Sequence, residues 1–546
     1  MVAVFVLPSL VWIVRDRTVW PWDQAWYGEV SVDLWYWLGH SSRLWTREML
    51  TGLYMKPPGI VWLGQFFVPL RGLFGSVETA LLFSIVLTEF VMLVILLKIG
   101  QRMAPQSRLV PLGAVFLASS TQLFVGLSHQ FLVEPLQGLA VAWCFYIALR
   151  SPDWPKARIA VHLASALVLG ALAKATTPLY CLMPCAYCGY IWLRKPSGLD
   201  FATEWKSRSS RALVLVFGLT GILCSLWYIR NIRAVWQHVH DASFGDLALG
   251  YGTRDSVLNK LIVWSRIFDQ SFLDPYLYWV CVAAILLAGG FALYRRARAL
   301  PEHRLRVQPV AVLSVIQAGL LLFAFSLNIT VEPRVLYAML PCVVILLVQL
   351  LVFVPRIALV ALLALGAAQW IVVNGASLGL TERLANQSQW LVALQADSSQ
   401  YDELSRVVNL TSDVGERYNI VGVEYPWLNA NSAAFFAAKE RLKTGTRSYY
   451  TSLGYAEKDV DVAMRRIEEL KTRYLITVSE KYQSEPNFVN VVPLPVLERV
   501  RRDSRFTQCA FPSERGVVLF RFVSGSQATE PRLIPSPGVE TTTACK

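Results

Sequence analysis

Two short stretches hold most of the chemistry open to this chain. WPWDQAWYGE (Trp20–Glu29) and TGLYMKPPGIVWL (Thr51–Leu63) follow a short apolar N-terminus. They place one carboxylate, Asp23, and one lysine, Lys56, in what reads as the first extramembrane loop of a membrane protein. A positioned carboxylate can take a proton from an attacking hydroxyl. A lysine can hold a phosphate through charge-assisted hydrogen bonds. At a membrane surface the pair suits a reaction on a lipid that carries a phosphate.

Other charges stand near the predicted external ends of apolar segments. They are Glu29 in the first loop, Glu134 at the start of the fourth span, Lys174 at the external end of the fifth, and Glu332 and Arg334 at the start of the tenth. A charge at the centre of a membrane helix costs about 2.5–3.5 kcal/mol on insertion scales. Their expected convergence on one face is therefore a sign of a site. Each candidate also has a plainer reading. Asp23 suits a helix cap, Lys56 can snorkel to lipid headgroups, and Lys174 suits an interfacial anchor. Glu134 reads equally as a structural acid or one that orients an acceptor, and Glu29 reads as a solvated or structural acid. The first-loop aromatics (Trp20, Trp22, Trp26, Tyr27, Trp35, Tyr36, Trp37) fit an interfacial belt. Glu89, mid-span in the second helix, reads first as a buried hydrogen bond to a neighbouring helix.

The elements that position these residues follow from composition. The chain has 546 residues, 55% hydrophobic and 16% charged, against about 25% charged in soluble domains. It is expected to be an integral membrane protein. The net charge of +13 does not point to nucleic acid, because the basic residues lie in short clusters between apolar runs, where they encode topology. A span needs roughly 20 apolar residues. Candidates are 2–14, 79–97, 109–127, 131–149, 159–173, 177–193, 212–229, 275–294, 308–327, 335–354 and 356–373. The run 57–74 opens on two prolines and closes on Arg71, Gly72 and Gly75, so it reads as juxtamembrane or re-entrant. With that choice the basic loops share one side. This predicts about eleven spans, a cytoplasmic N-terminus, and external segments at 15–78, 230–274 and after about 374.

Three parts are expected: a membrane domain over 1–375, an external α/β domain over 376–523, and a loose tail over 524–546. Asn419–Glu424, Tyr474–Ser479 and Gly516–Val523 read as strands. Asp459–Arg473 reads as an amphipathic helix with Val462, Met464, Ile467 and Leu470 on one face, and 380–410 reads as helix-rich. Seven cysteines (Cys144, Cys181, Cys185, Cys188, Cys224, Cys281, Cys342) sit in apolar runs and act as small hydrophobes. Cys509 and Cys545 are a possible external pair.

On these motifs the chain resembles the GT-C glycosyltransferases, in particular the protein O-mannosyltransferase and aminoarabinose transferase group (glycosyltransferase family 39-like). PWDQAWYGEVSVDLW resembles that group's acidic first-loop signature, and YMKPPGIVWL its Lys-Pro-Pro motif. HQFLVEPLQGLAVAW, ALAKATTPLY and EPRVLYAMLP resemble its later segments, in the same order. The resemblance implies a polytopic GT-C fold with juxtamembrane helices in the first loop and an external C-terminal domain. It implies transfer of a hexosyl or pentosyl group from a polyprenyl-phosphate-linked sugar at the outer face of the plasma or inner membrane. It maps the catalytic base to Asp23 and donor-phosphate contacts to Lys56, with Arg334 and Lys174 as further cations. Glu134, Trp22 and Trp26 remain for acceptor or sugar orientation. Three departures stand out: Gln24 follows Asp23 where relatives have Glu, Val335 replaces a usual tyrosine, and Met55 replaces an acid before the Lys-Pro-Pro lysine. That last change removes the metal ligand the resemblance would imply, so no metal is carried over; a divalent metal stays open but unsupported by the residue before Lys56.

The chemistry agrees with one base. A phosphate monoester has a second pKa near 6 and leaves as an anion, so no general acid is needed, unlike the two carboxylates of a glycoside hydrolase. Two other classes stay open. A multi-pass transporter would carry mid-bilayer charges and broken helices in paired halves. A lipid-linked glycan ligase or polymerase of another fold would carry its large loop late. Partners in the preferred reading are the lipid-linked sugar and a glycan, lipid or protein acceptor.

Overall fold

The computed structural model describes residues 2–195, 208–297, 307–412, 417–483 and 487–522. The expected tail over 524–546 and Cys545 lie outside the described residues. The chain divides into two compact units. One is Met1–Arg15 with Ser41–Leu394; the other is Asp16–His40 with Gln395–Lys546.

The first unit is helical and multi-pass. Among the described residues six helices are long and apolar enough to cross a membrane: Val77–Met103, Lys156–Ala173, Ser210–Phe244, Pro309–Leu327, Pro333–Leu351 and Arg356–Ser377. A helix pair, Val257–Leu273 and Leu277–Phe291, is apolar enough together but bent by 100°, the form of a broken span or a re-entrant loop. Other expected spans are interrupted. The run 109–127 breaks into Leu109–Ser119 and Gln122–Leu127, where the Thr121 hydroxyl caps the second piece by accepting from Phe124 N at 3.2 Å. The run 177–193 breaks at Cys181 into Thr177–Tyr180 and Leu182–Arg194. The segment 57–74 forms only short pieces, Gly59–Gly64, Val68–Leu70 and Arg71–Phe74. The span read over 212–229 continues as one helix, Arg208–Phe244, so residues taken as loop extend it. The first helices are fixed by Trp12, whose indole stacks on the His129 ring at 4.2 Å. The His129 nitrogens face Ser9 Oγ and Ser377 Oγ, each at 3.2 Å.

The second unit is built on a five-stranded sheet: β1 (Tyr418–Val421), β2 (Tyr449–Ser452), β3 (Tyr474–Val478), β4 (Phe506–Gln508) and β5 (Val517–Phe522). The order is β2-β1-β3-β5-β4. β1 runs parallel to β2 and β3; β5 is antiparallel to β3 and β4. Alternation sends neighbouring side chains to opposite faces. Val421, Ile476 and Leu519 pack with Leu404, Val407 and Val408 of Ser399–Thr411 and with Phe436 of Ala430–Thr444. Ile420, Leu475 and Phe520 pack with Ala463 and Ile467 of Val460–Glu469 and with Val496 and Leu497 of Pro493–Arg502. Both faces of this mixed sheet are covered, as its parallel strands require. The expected helix 459–473 ends at Glu469, and Ala463, not Val462, joins its buried face. The expected helix-rich start contains one helix, from Ser399.

The long helix of the first loop, Trp22–His40, belongs to this second unit. Arg17 N donates to Gln395 O at 2.9 Å, and Gln395 N donates to the Asp16 carboxylate at 3.1 Å. Ser432 Oγ donates to Trp20 O at 2.7 Å, and Trp20 stacks on Phe435 at 5.1 Å. A Cβ on Gly28 would lie 2.8 Å from the Phe435 ring, so only glycine permits this approach. Asp33 is buried and paired with Arg441 at 3.0 Å and Arg447 at 3.3 Å. The Arg441 guanidinium also lies over Tyr36 at 4.1 Å and Trp37 at 4.8 Å. Removal of one partner from a buried pair costs about 3–5 kcal/mol, so this pair fixes the helix firmly.

Candidate active site

In the first unit three of the expected residues meet. Glu134 is the first residue of Glu134–Arg150 and is fully buried. An acid there complements the positive end of the helix dipole. Lys174 follows Lys156–Ala173, where the backbone turns extended. Thr177 Oγ1 closes that helix end through bonds to Gly170 O at 2.7 Å and Lys174 O at 2.8 Å. Lys174 Nζ then reaches Glu134 Oε1 at 2.9 Å. Arg334 enters from the 3-10 turn Pro333–Met339, with its Nε 3.5 Å from the same oxygen. The Arg334 guanidinium lies 5.2 Å from the centre of the Trp390 ring.

The two cations retain some exposure, 24% for Lys174 and 22% for Arg334, while the Glu134 side chain has 1%. Glu134 Oε2 is buried without a hydrogen-bond partner among the described residues. The arrangement is a buried anion paired with two partly exposed cations, a grouping that suits an anionic ligand.

Neighbouring tyrosines set this geometry. Tyr180 donates to Val335 O at 2.8 Å, tying the turn after Lys174 to the backbone beside Arg334. Tyr337 donates to Glu89 Oε1 at 2.7 Å inside the bundle, so Glu89 makes the buried hydrogen bond read from the sequence. The role of Tyr180 was not legible in the sequence, because tyrosine in an apolar run carries no sign of its partner.

Lys56 belongs to the same unit. It is half-buried on an irregular stretch between Ser42–Thr51 and Gly59–Gly64. The long helix holds the preceding turn: Trp227 Nε1 donates to Leu53 O at 3.0 Å and Asn231 Nδ2 to Leu50 O at 2.9 Å. A Cβ on Gly59 would lie 2.7 Å from Leu172 O. The Lys-Pro-Pro-Gly segment therefore packs directly on the helix that ends at Lys174.

Asp23 belongs to the second unit. It is half-buried in the first turn of Trp22–His40, beside Trp22, whose φ is +34°. A bulky residue in that region is strained, and such strain gathers at functional positions. Trp26 stacks on Tyr27 at 6.3 Å, and Glu29 is half-buried. Sequence reasoning missed Asp33 and Glu424. Asp33 could have been flagged as a carboxylate within an otherwise apolar stretch, VSVDLW. Glu424 closes a strand segment and gave no signal. Burial lifts its carboxyl to about 7.

No family model and no curated protein sequence matches this chain. Its fold is similar to that of ArnT from Cupriavidus metallidurans bound to undecaprenyl phosphate, with a TM-score of 0.57, 14% identity, and coverage of 97% of this chain and 99% of that one. The apo state of the same ArnT gives a TM-score of 0.55 at 12% identity over the same shares of the two chains. At such identity the likeness concerns the fold. Over nearly its whole length, this multi-pass membrane chain has the GT-C fold.

Proposed function

We propose that the protein is a membrane glycosyltransferase that moves a sugar from a polyprenyl-phosphate donor to an acceptor hydroxyl at the external face. The observation that carries this reading is the buried Glu134 beneath Lys174 and Arg334, three residues from separate elements gathered at one point. The fold shared with ArnT, solved with undecaprenyl phosphate, supports the lipid-phosphate donor. The disulfide at Cys509 supports an oxidising, external setting for the second unit.

Asp23 acts as general base and takes the proton of the acceptor hydroxyl. The acceptor oxygen bonds to the anomeric carbon as the bond from that carbon to the phosphate oxygen breaks. The electron pair departs with the polyprenyl phosphate, and Lys56, Lys174 and Arg334 stabilise its growing charge. Glu134 holds the two cations it pairs with. One displacement inverts the anomeric centre.

The test is transfer of radiolabel from polyprenyl-phosphate-linked sugars by the purified protein. Asp23→Asn is expected to reduce transfer at least 1,000-fold with expression unchanged. Retained transfer in that variant removes Asp23 from the mechanism, and no transfer by the unaltered protein from any such donor overturns the reading.

A further inference from the structure

The second unit contains a feature that the donor chemistry does not use. Its helices pass from one face of the sheet to the other around β1, which has β2 on one side and β3 on the other. In open α/β sheets of this kind, ligands bind outside the carboxyl ends of the strands, where the winding reverses. The segment leaving β1 there is Gly422–Val423–Glu424, with Gly422 N still paired to Ile476 O of β3 at 2.7 Å. Asn490, from the connection after β3, holds the Glu424 backbone on both sides. Its Oδ1 accepts from Glu424 N at 2.8 Å and its Nδ2 donates to Glu424 O at 3.3 Å.

Glu424 is 9% exposed. Only burial and the Trp22 indole act on its carboxyl, and no cation offsets it among the described residues. The Trp22 Nε1–H is itself buried without a well-formed hydrogen bond, although a buried indole N–H usually has a partner. An acid and an indole thus stand together, the indole N–H incompletely satisfied, on a backbone fixed by Asn490. Trp22 is strained at φ +34° and directly precedes Asp23. An indole face packs on the C–H face of a sugar ring, while a carboxylate accepts from adjacent hydroxyls and an N–H donates to a third.

We propose that Glu424 and Trp22, at the carboxyl end of β1, form a carbohydrate subsite that receives the acceptor. This inference rests on the transferase reading for the word acceptor, and on the second unit alone for the subsite. Glu424 binds the hydroxyls next to the one that reacts, and so sets which glycan is used.

The experiment applies the purified full-length protein in detergent to an immobilised panel of hexose- and pentose-containing oligosaccharides, with turnover of polyprenyl-phosphate-linked sugars measured on the same preparations. The unaltered protein is expected to retain at least one oligosaccharide, with Glu424→Gln weakening retention at least tenfold. Trp22→Phe keeps an aromatic face but loses the pyrrole ring with its N–H, a smaller change than truncation to alanine, and it is expected to weaken retention several-fold. The subsite is overturned if no oligosaccharide is retained, or if Glu424→Gln and Trp22→Phe both retain it undiminished. Donor turnover without glycan retention removes the subsite and leaves the transferase; glycan retention without donor turnover does the reverse.

Discussion

Lys174 Nζ and Arg334 Nε lie 2.9 Å and 3.5 Å from one oxygen, Glu134 Oε1. Two cations are thus held together by an anion that is itself cut off from water. Their mutual repulsion is offset by that shared carboxylate, and each keeps part of its surface exposed.

Removal of that anion should therefore be felt at the donor. Glu134→Gln is expected to raise the donor KM at least tenfold and to lower the melting temperature by several degrees. The loss in stability should fall below the 3–5 kcal/mol of a fully buried pair, because both cations are partly hydrated. Glu134→Asp should restore part of both. Steady-state kinetics in vesicles and thermal melts check this; an unchanged donor KM would remove Glu134 from donor binding.

The pair Asp33–Arg441 tests whether the first-loop helix depends on the second unit. Burial pushes the Asp33 carboxyl up from its ordinary range, and the two guanidiniums oppose that shift. Asp33→Asn should leave Arg441 buried without its counterion and destabilise the unit by about 3–5 kcal/mol. Hydrogen exchange should quicken over 22–40 and over 430–444 together. Exchange that quickens over only one of these helices would show that the pair does not couple them.

Glu424 gives a pH signature of known sign. Its folded value of about 7 lies above the ordinary 4.5, so the folded state keeps a proton that the unfolded chain loses. Stability of the second unit should fall as pH rises from about 4.5 to about 7, by about 3 kcal/mol in all, and then level off. Glu424→Gln should flatten this dependence. Exchange at the β1 amides against pH provides the measurement; a flat profile in the unaltered protein contradicts it.

Gly28→Ala adds one methyl group 2.8 Å from Phe435. Overpacking of this kind costs about 1–3 kcal/mol. A second change, Phe435→Leu, should relieve most of the cost. A double-mutant cycle on melting temperature tests this, and additive losses would show that the two residues do not press on each other.

Much of the membrane unit was legible in the sequence, because long apolar runs have few alternatives to a helix and charges beside them are costly. Glu134, Lys174 and Arg334 stood out as charges at apolar segment ends, and the structure brings all three to one point. The same logic exposed Glu89, whose partner Tyr337 lies 248 residues away and could not be read. In the second unit the three strands with clear β-branched runs were visible. β4, with 3 residues, was too short to show a period, and β2, YYTS, holds no aliphatic residue to mark it. The helix Ala430–Thr444 lacked an apolar stripe because most of its surface is buried, so no polar face marked it.

By itself, then, the sequence determined that the chain is a polytopic membrane protein, and which charged residues had to be kept for a reason. Only the tertiary structure decided that Trp22–His40 joins a sheet domain about 400 residues downstream in the chain. Local pattern fixes an element and its buried face. The partner of that face depends on shape and charge complementarity between distant segments: a ring fitting over Gly28, and a guanidinium reaching Asp33.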